Sequence, residues 1–332
     1  MTGTPTFKQM LALGLPGALV LLAAALLLRP GVLPATLTPL LKAYPLVVLM
    51  AGLLLGWFYN RSRLVFAMLI LGLAHWALSS YALGKSATTD VGRLVVGAVA
   101  LLLPLNLAWM AWVTERGILT PRGLGRLGVL LAQPVLLLLF SKADPKAVSG
   151  FLQTSWVDAS WLPTTGLSQL GLLGFVAALT IQAARVASTR NALDSGFLWA
   201  LVAAGLALTA GRPGLVTGAY LATSGLVLVV TLLQTVYRMA YHDDLTGLPG
   251  RRALNEDVLK LGNRYAVAMV DIDHFKRVND QYGHDVGDQV LRMVASRFAS
   301  VRGVAKAYRW GGEEFALVFP GKTEEEAWPF LH

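Results

Sequence analysis

The chain has 332 residues, of which 55% are hydrophobic and only 14% are charged, and this composition excludes a single soluble domain. The charges are unevenly distributed, because residues 1–237 carry 15 Lys or Arg and 5 Asp or Glu whereas residues 238–332 carry 13 and 14. The net charge of +9 is therefore the sum of +10 on the apolar part and −1 on the rest. Basic residues scattered between long apolar runs are typical of membrane loops and argue against nucleic-acid binding. The absence of cysteine excludes a disulfide, a thiolate metal site and a cysteine nucleophile.

Apolar runs in the first part are long enough to cross about 30 Å of hydrocarbon. Two of them, residues 127–140 and 196–210, are shorter than the rest but have apolar neighbours that extend them. We predict eight transmembrane helices, the first of which is retained because it lacks the small-residue pattern of a signal-peptide cleavage site. The other six runs are residues 10–28, 43–59, 64–83, 94–113, 167–184 and 214–236.

An even number of crossings places both ends of this region on the same side of the membrane. The basic loop residues then divide nine to seven in favour of the side that carries the termini, which the positive-inside rule identifies as the cytoplasm. The loop 141–166 would lie outside, where Trp156 and Trp161 suit the headgroup level.

Polar side chains inside the predicted helices indicate either a ligand site or hydrogen bonds between helices. We favour hydrogen bonds between helices, because none of these residues has an acidic neighbour in the sequence. Gly52 and Gly56 have the spacing of a helix-packing motif, which we attribute to chance in a chain with 33 glycines. The polar residues are His75, Asn106, Gln133 and Gln182.

A turn-rich stretch, residues 242–250, follows the last apolar helix and marks a domain boundary. We assign residues 1–236 to a membrane domain of about eight helices, residues 237–242 to a helical linker and residues 243–332 to a second domain.

The second domain begins with a predicted helix, residues 251–261, and a predicted strand, residues 266–272. Since the strand is apolar on both faces, we expect it to be central in a covered sheet. Asp271 and Asp273 lie at its end on one face, where an α/β sheet commonly places its ligand chemistry. A helix with an apolar stripe follows, formed by Val290, Leu291, Val294 and Phe298.

Two further strand-like runs, residues 305–310 and 313–319, are joined by Gly311-Gly312. Two glycines fit a primed hairpin turn with positive φ values, and they allow a phosphate or sugar to approach the backbone. Glu313 and Glu314 follow directly.

Several carboxylates at one sheet edge repel one another unless they are protonated or bind a cation. Oxygen-only ligands suit Mg²⁺, which commonly bridges carboxylates and substrate phosphates. The residues alone therefore suggest a metal–nucleotide site. The alternative is that Asp273 caps the helix after it and that Glu313 and Glu314 are surface charges of the hairpin.

The order and spacing of three segments resemble the GGDEF family of diguanylate cyclases. These segments are D-D-L-T-G-L at residues 243–248, D-I-D-H-F-K-R-V-N-D-Q-Y-G-H-D-V-G-D at residues 271–288 and G-G-E-E-F at residues 311–315. The resemblance implies an α/β domain of the nucleotide-cyclase or palm-like type, with an antiparallel-type central sheet flanked by helices. It also implies condensation of two GTP molecules into cyclic di-GMP and pyrophosphate between two facing domains of a homodimer.

The resemblance further implies roles for individual residues. Asp271 and Glu313 would hold Mg²⁺, or alternatively Mn²⁺, together with the main-chain carbonyl of Ile272. Glu314 would assist as a metal ligand and catalytic residue, and Glu313 would help to deprotonate the attacking 3′-hydroxyl. The residues that match substrate-binding positions are Asn279 and Asp288 for guanine, and Phe275, Lys276, Gly311 and Gly312 for the phosphates and sugar.

The sequence departs from the family at two places. Product-inhibited members carry R-x-x-D five residues before the Gly-Gly, and here only Arg302 of that motif remains, so we expect added cyclic di-GMP not to slow turnover. Thr323 opens a capping box, but the chain ends nine residues later, whereas the family's domain continues through another strand and helix. We therefore expect an incomplete, aggregation-prone domain whose strand 266–272 becomes an exposed edge.

The sequence thus favours a diguanylate cyclase of the bacterial inner membrane, with its catalytic domain in the cytoplasm and under the control of a membrane sensory region. Its expected partners are GTP, the product cyclic di-GMP, the lipid bilayer and a second copy of the chain, with no nucleic acid. The alternative is a non-catalytic membrane receptor whose partial domain binds GTP or cyclic di-GMP. A transporter would need polar groups along a path through the helices, and few are present.

Overall fold

The computed structural model describes residues 7–82, 89–155, 167–210, 214–300 and 304–331, without the side chains of residues 7–13 and 145. Predictions that concern Trp156, Trp161 and Arg302 lie outside the described residues. The chain divides into two compact units, Met1–Leu233, called here the helical unit, and Gln234–His332, called the C-terminal unit.

Over the residues that the structure describes, each of the eight predicted apolar runs coincides with a helix for most of its length. Among the described residues, seven helices are long and apolar enough to cross a membrane, and α1 contributes a shorter apolar stretch, Gly14–Leu27. The helices are α1 Phe7–Leu27, α2 Thr38–Phe58, α3 Ser62–Tyr81, α4 Asp90–Trp112, α5 Pro121–Ala143, α6 Pro145–Gln153, α7 Gln169–Thr189, α8 Ala192–Thr209 and α9 Leu215–Tyr241.

Helix α5 extends the short apolar run 127–140 at both ends. Its first residue, Pro121, needs no hydrogen-bond partner for its nitrogen, and the Thr120 side chain accepts from the Gly123 amide to cap the helix. The sequence did not predict α6, a helix of nine residues in a polar segment, which is capped by Asp144.

Helices α2 and α3 approach closely at two glycines. A Cβ atom on Gly52 would lie 2.6 Å from Met68 Sδ, and one on Gly56 would lie 2.8 Å from Val65 Cγ2. Our attribution of the Gly52–Gly56 spacing to chance was therefore wrong, because only residues without a Cβ leave room for this contact.

Three of the four polar residues inside the helices form interhelical hydrogen bonds, as predicted, and His75 is the exception. Asn106 of α4 and Gln133 of α5 exchange two bonds, at 2.7 and 3.0 Å between their amide groups. Gln182 of α7 donates to the main-chain oxygen of Asp194 in α8 at 2.8 Å. A ring atom of His75 would lie 2.9 Å from a Cβ on Gly218, so this glycine makes room for the imidazole.

A buried ion cluster, which the sequence did not predict, joins four helices of this unit. Asp194 of α8 lies 2.7 Å from Arg63 of α3 and 3.1 Å from Arg185 of α7. Arg63 also donates to the main-chain oxygens of Met110 and Ala111 in α4. Since Arg63 and Asp194 are almost completely buried, each charge depends on the other for compensation.

The C-terminal unit has a three-stranded antiparallel sheet with the strand order β1-β3-β2. The helices α11 and α12 follow β1, and the apolar stripe predicted between residues 290 and 298 packs on the core with the buried Leu291. Its elements are α10 Arg251–Leu259, β1 Tyr265–Asp271, α11 Phe275–Tyr282, α12 His284–Ser300, β2 Lys306–Gly311, β3 Glu314–Pro320 and α13 Glu324–Ala327.

The central strand is β3, not β1. Residues 315–319 of β3 are buried on both faces, with one core cluster on each side of the sheet. In β1 the alternate residues Tyr265, Val267 and Met269 are 41 to 54% exposed, while the residues between them pack against the core. Among the described residues β1 therefore pairs with one strand only, and the predicted central position is not observed there.

The capping box predicted after β3 is present. The Thr323 hydroxyl accepts from the Glu326 amide, and the Glu326 side chain accepts from the Thr323 amide. Only four residues of α-helix follow, and Trp328–Phe330 continues as a 3₁₀ turn.

Candidate active site

The hairpin between β2 and β3 turns at Gly312 and Glu313, one residue later than predicted. Gly311 belongs to β2 and pairs with Glu314, after a register shift that follows Arg309. Neither Gly311 nor Gly312 has a positive φ, so the predicted primed turn was wrong. The space around Gly312 is open, since a Cβ there would meet no heavy atom within 4 Å. The glycines thus leave one side of the turn accessible to a ligand.

Arg309 fixes the position of this turn, although the sequence did not single it out. Its guanidinium donates to the main-chain oxygen of Gly312 at 2.7 Å and to Asp243 Oδ1 at 2.8 Å. Its main-chain amide donates to the Pro249 oxygen at 2.9 Å. A single side chain therefore connects the residue 242–250 turn to the glycine hairpin. The available signal was an arginine that stands directly before the Trp-Gly-Gly segment of an otherwise mostly apolar strand.

Asp243 organises the turn at the start of the domain. Its carboxylate accepts from the amide and the hydroxyl of Thr246 as well as from Arg309. Burial alone would raise the pKa of Asp243, but the hydrogen bonds from Thr246 and Arg309 outweigh burial and hold this pKa below its ordinary value. The aspartate is therefore anionic near neutral pH and keeps its bond to Arg309.

Asp271 and Glu314 are direct cross-strand partners. They form the last register pair between β1 and β3, and both side chains are exposed. Glu313 precedes Glu314 in the turn and is half-buried. Partners in an antiparallel pair have Cβ atoms about 5 Å apart, and like charges at that separation destabilise the pair. The fold thus brings two of the three predicted metal-binding carboxylates together at one sheet end and places the third beside them.

The other predicted metal ligand is the Ile272 carbonyl, which lies one residue beyond Asp271. It accepts a hydrogen bond from the Phe275 amide at 3.2 Å, which leaves one lone pair for another partner. Asp273 does not cap the following helix: the N-cap is His274, in a left-handed conformation and without a side-chain cap bond. The structural alternative for Asp273 is therefore contradicted.

The donor set fits a hard divalent cation, since it consists of carboxylate and carbonyl oxygens only. Within the described ranges, no three His, Asp or Glu side chains converge closely enough to form a ready metal cage.

The predicted guanine-binding residues lie on consecutive helices. Asn279 of α11 is half-buried, and a Cβ on Gly287 of α12 would overlap its side-chain oxygen, so the glycine allows this packing. Asp288 follows Gly287 and is half-buried, with Arg292 one helical turn away at 3.9 Å. The structure therefore brings the region of Asn279 beside that of Asp288.

Phe275 and Lys276 begin α11, and they differ in exposure. Phe275 is buried in the larger core cluster, so its aromatic ring has a packing role, whereas Lys276 is exposed and free to meet a ligand. Both residues follow β1 within five positions of Asp271. The first turn of α11 thus carries the predicted phosphate-binding positions, four and five residues after Asp271.

A shallow cleft of about 440 Å³ lies between the residue 242–250 turn, the start of α10 and the glycine hairpin. Three arginines line it, namely Arg251, Arg252 and Arg309, and Arg251 stacks over the Trp310 ring at 4.2 Å. This side of the hairpin is therefore basic, whereas the sheet end with Asp271 is acidic.

The C-terminal unit is thus an α/β domain with an antiparallel sheet, flanking helices and an acidic sheet end. Residues 240–329 match the family described as "Diguanylate cyclase, GGDEF domain". The chain is 47% identical over 95 residues to diguanylate cyclase VdcA of Vibrio cholerae, which covers 27% of this chain and 28% of that protein. It is 47% identical over 91 residues to diguanylate cyclase DgcZ of Escherichia coli, which covers 26% of this chain and 31% of that protein.

A solved structure, the coiled coil and GGDEF domain of DgcB from Caulobacter crescentus in complex with c-di-GMP, is also similar. It has 36% sequence identity and a TM-score of 0.30, and the match covers 31% of this chain and 58% of that one. The chain spans less than a third of the length of the two curated relatives. The family match and the two sequence identities show that residues 240–329 are a GGDEF domain.

Proposed function

We propose that the chain is a membrane-embedded diguanylate cyclase, which condenses two GTP molecules into cyclic di-GMP and pyrophosphate. The single observation that supports this most strongly is the direct pairing of Asp271 with Glu314 beside the Gly312–Glu313 turn. Within a GGDEF domain, this arrangement places carboxylate oxygens beside Gly312, whose main chain is accessible to a ligand.

In this proposal, Asp271, Glu313 and the Ile272 carbonyl hold Mg²⁺, or Mn²⁺ in its place, and Glu314 assists. The cation would neutralise charge on the substrate phosphates. Glu313, half-buried in the turn, accepts the proton of the attacking 3′-hydroxyl. Arg309 keeps the Gly312 carbonyl in place, and the open side of Gly312 would receive the phosphates or the sugar of GTP.

Specificity for GTP would come from Asn279 and Asp288. A carboxylate accepts hydrogen bonds from N1–H and N2–H of guanine, which adenine does not offer. Lys276, exposed at the start of α11, would meet the phosphates, and Phe275 would fix the loop through its buried ring.

The condensation joins two nucleotides, so each active site would form between two copies of the domain. We propose a homodimer in a bacterial inner membrane, with the helical unit embedded in lipid and the C-terminal unit in the cytoplasm. The last helix, α9, would transmit a signal from the helical unit, since it contains residues of both compact units. The chain would thus act in signal transduction.

The test compares Glu313→Gln with wild-type full-length protein in membranes supplied with GTP and Mg²⁺. We expect Glu313→Gln to lose cyclic di-GMP formation by more than about a hundredfold, because one substitution removes both a metal ligand and the base. Glu324→Gln, at an exposed position outside the site, is the matched control and should leave turnover unchanged. Equal product formation by Glu313→Gln would refute the proposal, and GTP binding without product in the wild type would favour the receptor alternative.

A further inference from the structure

A cavity of about 490 Å³ lies within the helical unit, between α2, α3, α4 and α5. Its walls are almost entirely hydrocarbon, and its volume falls within the range typical of small-molecule sites. Several wall residues at its rim, such as Leu69, Trp76 and Leu131, are also exposed on the outer surface of the unit. The cavity therefore opens sideways, toward the surface that would face lipid.

The most polar part of the wall is the amide pair of Asn106 and Gln133. Each amide uses one N–H and one oxygen lone pair in the two reciprocal hydrogen bonds. The second N–H and the second lone pair of each amide take no part in these two bonds. Pro134, beside Gln133, has no N–H to donate to the carbonyl of Leu130, and both residues line the cavity. In hydrocarbon, unmade hydrogen bonds of this kind are unfavourable, and a hydrocarbon chain does not satisfy them.

The depth of the pair restricts what fills the cavity. Gln133 lies in the middle of α5, about 18 Å along the helix from Pro121 and about 15 Å from Ala143 at 1.5 Å per residue. A phospholipid headgroup stays at the membrane surface and does not reach this depth. A charged head is also disfavoured there, because ions are costly near the bilayer centre.

From this geometry we infer that the cavity binds a neutral single-chain amphiphile, whose hydroxyl or carbonyl group meets Asn106 and Gln133 and whose hydrocarbon chain fills the apolar walls. The ligand enters from the bilayer. The inference rests on the membrane embedding in the proposed function and is independent of cyclase activity.

The test uses photoreactive probes on the full-length chain in lipid nanodiscs. One probe is a long-chain alcohol that carries a diazirine, and the other is the corresponding alkane with the same diazirine. Labelled positions are mapped by peptide mass spectrometry. The alcohol should label wall residues of α3, α4 and α5, and excess unlabelled alcohol should prevent this labelling whereas excess phosphatidylcholine should not.

Two changes probe the site separately. A Cβ on Gly72 meets only Leu49, at 3.5 Å and beyond, so Gly72→Leu projects into the cavity and should exclude both probes. The double change Asn106→Leu/Gln133→Leu keeps the walls apolar and should lower labelling by the alcohol about tenfold, the effect of one or two lost hydrogen bonds, while alkane labelling persists. Leu54→Phe, on an exposed face of α2 outside the cavity, is the matched control.

Three outcomes would overturn the inference. Equal labelling of the cavity by alcohol and alkane in the wild type would mean that hydrocarbon alone fills it. Competition by phosphatidylcholine would assign the cavity to a lipid acyl chain, and equal alcohol labelling in the wild type and the double variant would exclude a role for the amides. Release of the chain from membranes by alkaline carbonate would instead refute the embedding itself, whatever the cyclase assay gives.

Discussion

In the proposed cyclase, Arg309 acts as a positioning residue, and its removal should impair turnover more than substrate binding. Arg309→Ala breaks the bonds to Asp243 and to the Gly312 carbonyl, so the hairpin that carries Glu313 loses its fixed position. Misplacement of a reacting group by about 1 Å commonly reduces rate about a hundredfold. We expect kcat for cyclic di-GMP formation to fall about ten- to a hundredfold with a smaller change in KM.

Arg264→Ala provides the control for this prediction. Arg264 also pairs with a carboxylate, Glu326 at 2.6 Å, but both side chains are about half exposed. Surface pairs contribute little, so this variant should retain wild-type kinetics. Arg309→Lys should recover only part of the activity, because a single ammonium group does not reproduce the planar guanidinium that donates to Asp243 and to the Gly312 carbonyl from two nitrogens. Wild-type kcat in Arg309→Ala would contradict the positioning role.

The lowered pKa of Asp243 makes the stability of the C-terminal unit dependent on acid. Because the folded state holds this pKa below the ordinary value of 3.8, the unfolded chain binds the proton more readily. The stabilisation is therefore complete above about pH 5 and is lost as the pH falls through 3.8 and then through the lower folded-state pKa. Urea unfolding monitored by circular dichroism should show that the free energy of unfolding falls with pH over this range. Asp243→Asn should make the free energy of unfolding less dependent on pH over the same range. A curve that is unchanged in Asp243→Asn would assign the acid sensitivity to other carboxylates.

At the scale of elements, β1 exposes one apolar face and, within the part of the chain that the structure describes, pairs along one edge only. Val267 is 45% exposed, whereas its register partner Val318 in β3 is 2% exposed. An exposed, apolar edge strand favours pairing with other chains, and a charge at the edge opposes it. We expect Val267→Lys to reduce aggregation of the isolated C-terminal unit, measured by light scattering, with little loss of stability. Val318→Lys, which buries the same charge, should unfold the unit, and equal aggregation of wild type and Val267→Lys would contradict the edge argument.

The sequence predicted element positions well and element neighbours poorly. Periodicity and caps are local, so the helix after residue 284, the strand at 265–271 and the Thr323 cap were predictable. The order of strands depends on long-range pairing, and an apolar pattern on both faces of β1 did not reveal that β3 takes the centre.

The candidate site shows the same limit. The acidic residues and glycines were evident as a local motif, whereas the contacts of Arg309 join segments 66 residues apart and needed the fold to appear. The turn position also failed, because the register shift after Arg309 moves Gly311 into the strand. The packing role of Gly52 and Gly56 was not predictable for a related reason. The spacing of two glycines can arise by chance, and only the α3 atoms that lie against them show that it is a packing motif.

At the scale of the whole molecule, the buried ion cluster around Asp194 holds four helices of the helical unit together. Asp194→Asn would leave Arg63, and to a lesser extent Arg185, buried without a compensating anion, which commonly costs about 3–5 kcal/mol. We expect a large decrease in the thermal unfolding midpoint of the full chain in detergent. Asp90→Asn is the control, because Asp90 pairs with Arg93 at the surface and should change the midpoint little.

A second variant separates the contribution of the Arg63–Asp194 ion pair from the cost of leaving Arg63 buried without an opposite charge. Arg63→Met/Asp194→Leu removes both charges and keeps similar volume, so it should be more stable than Asp194→Asn alone. Recovery should remain incomplete, because Arg185 still loses Asp194, although it keeps its stacking on Trp112 at 5.0 Å. If Asp194→Asn and the double variant unfold at the same temperature, the loss arises from the packing around α8 and not from the uncompensated charge of Arg63. The packing of the four helices would then position the ion cluster, and the ion cluster would not be what holds the four helices together.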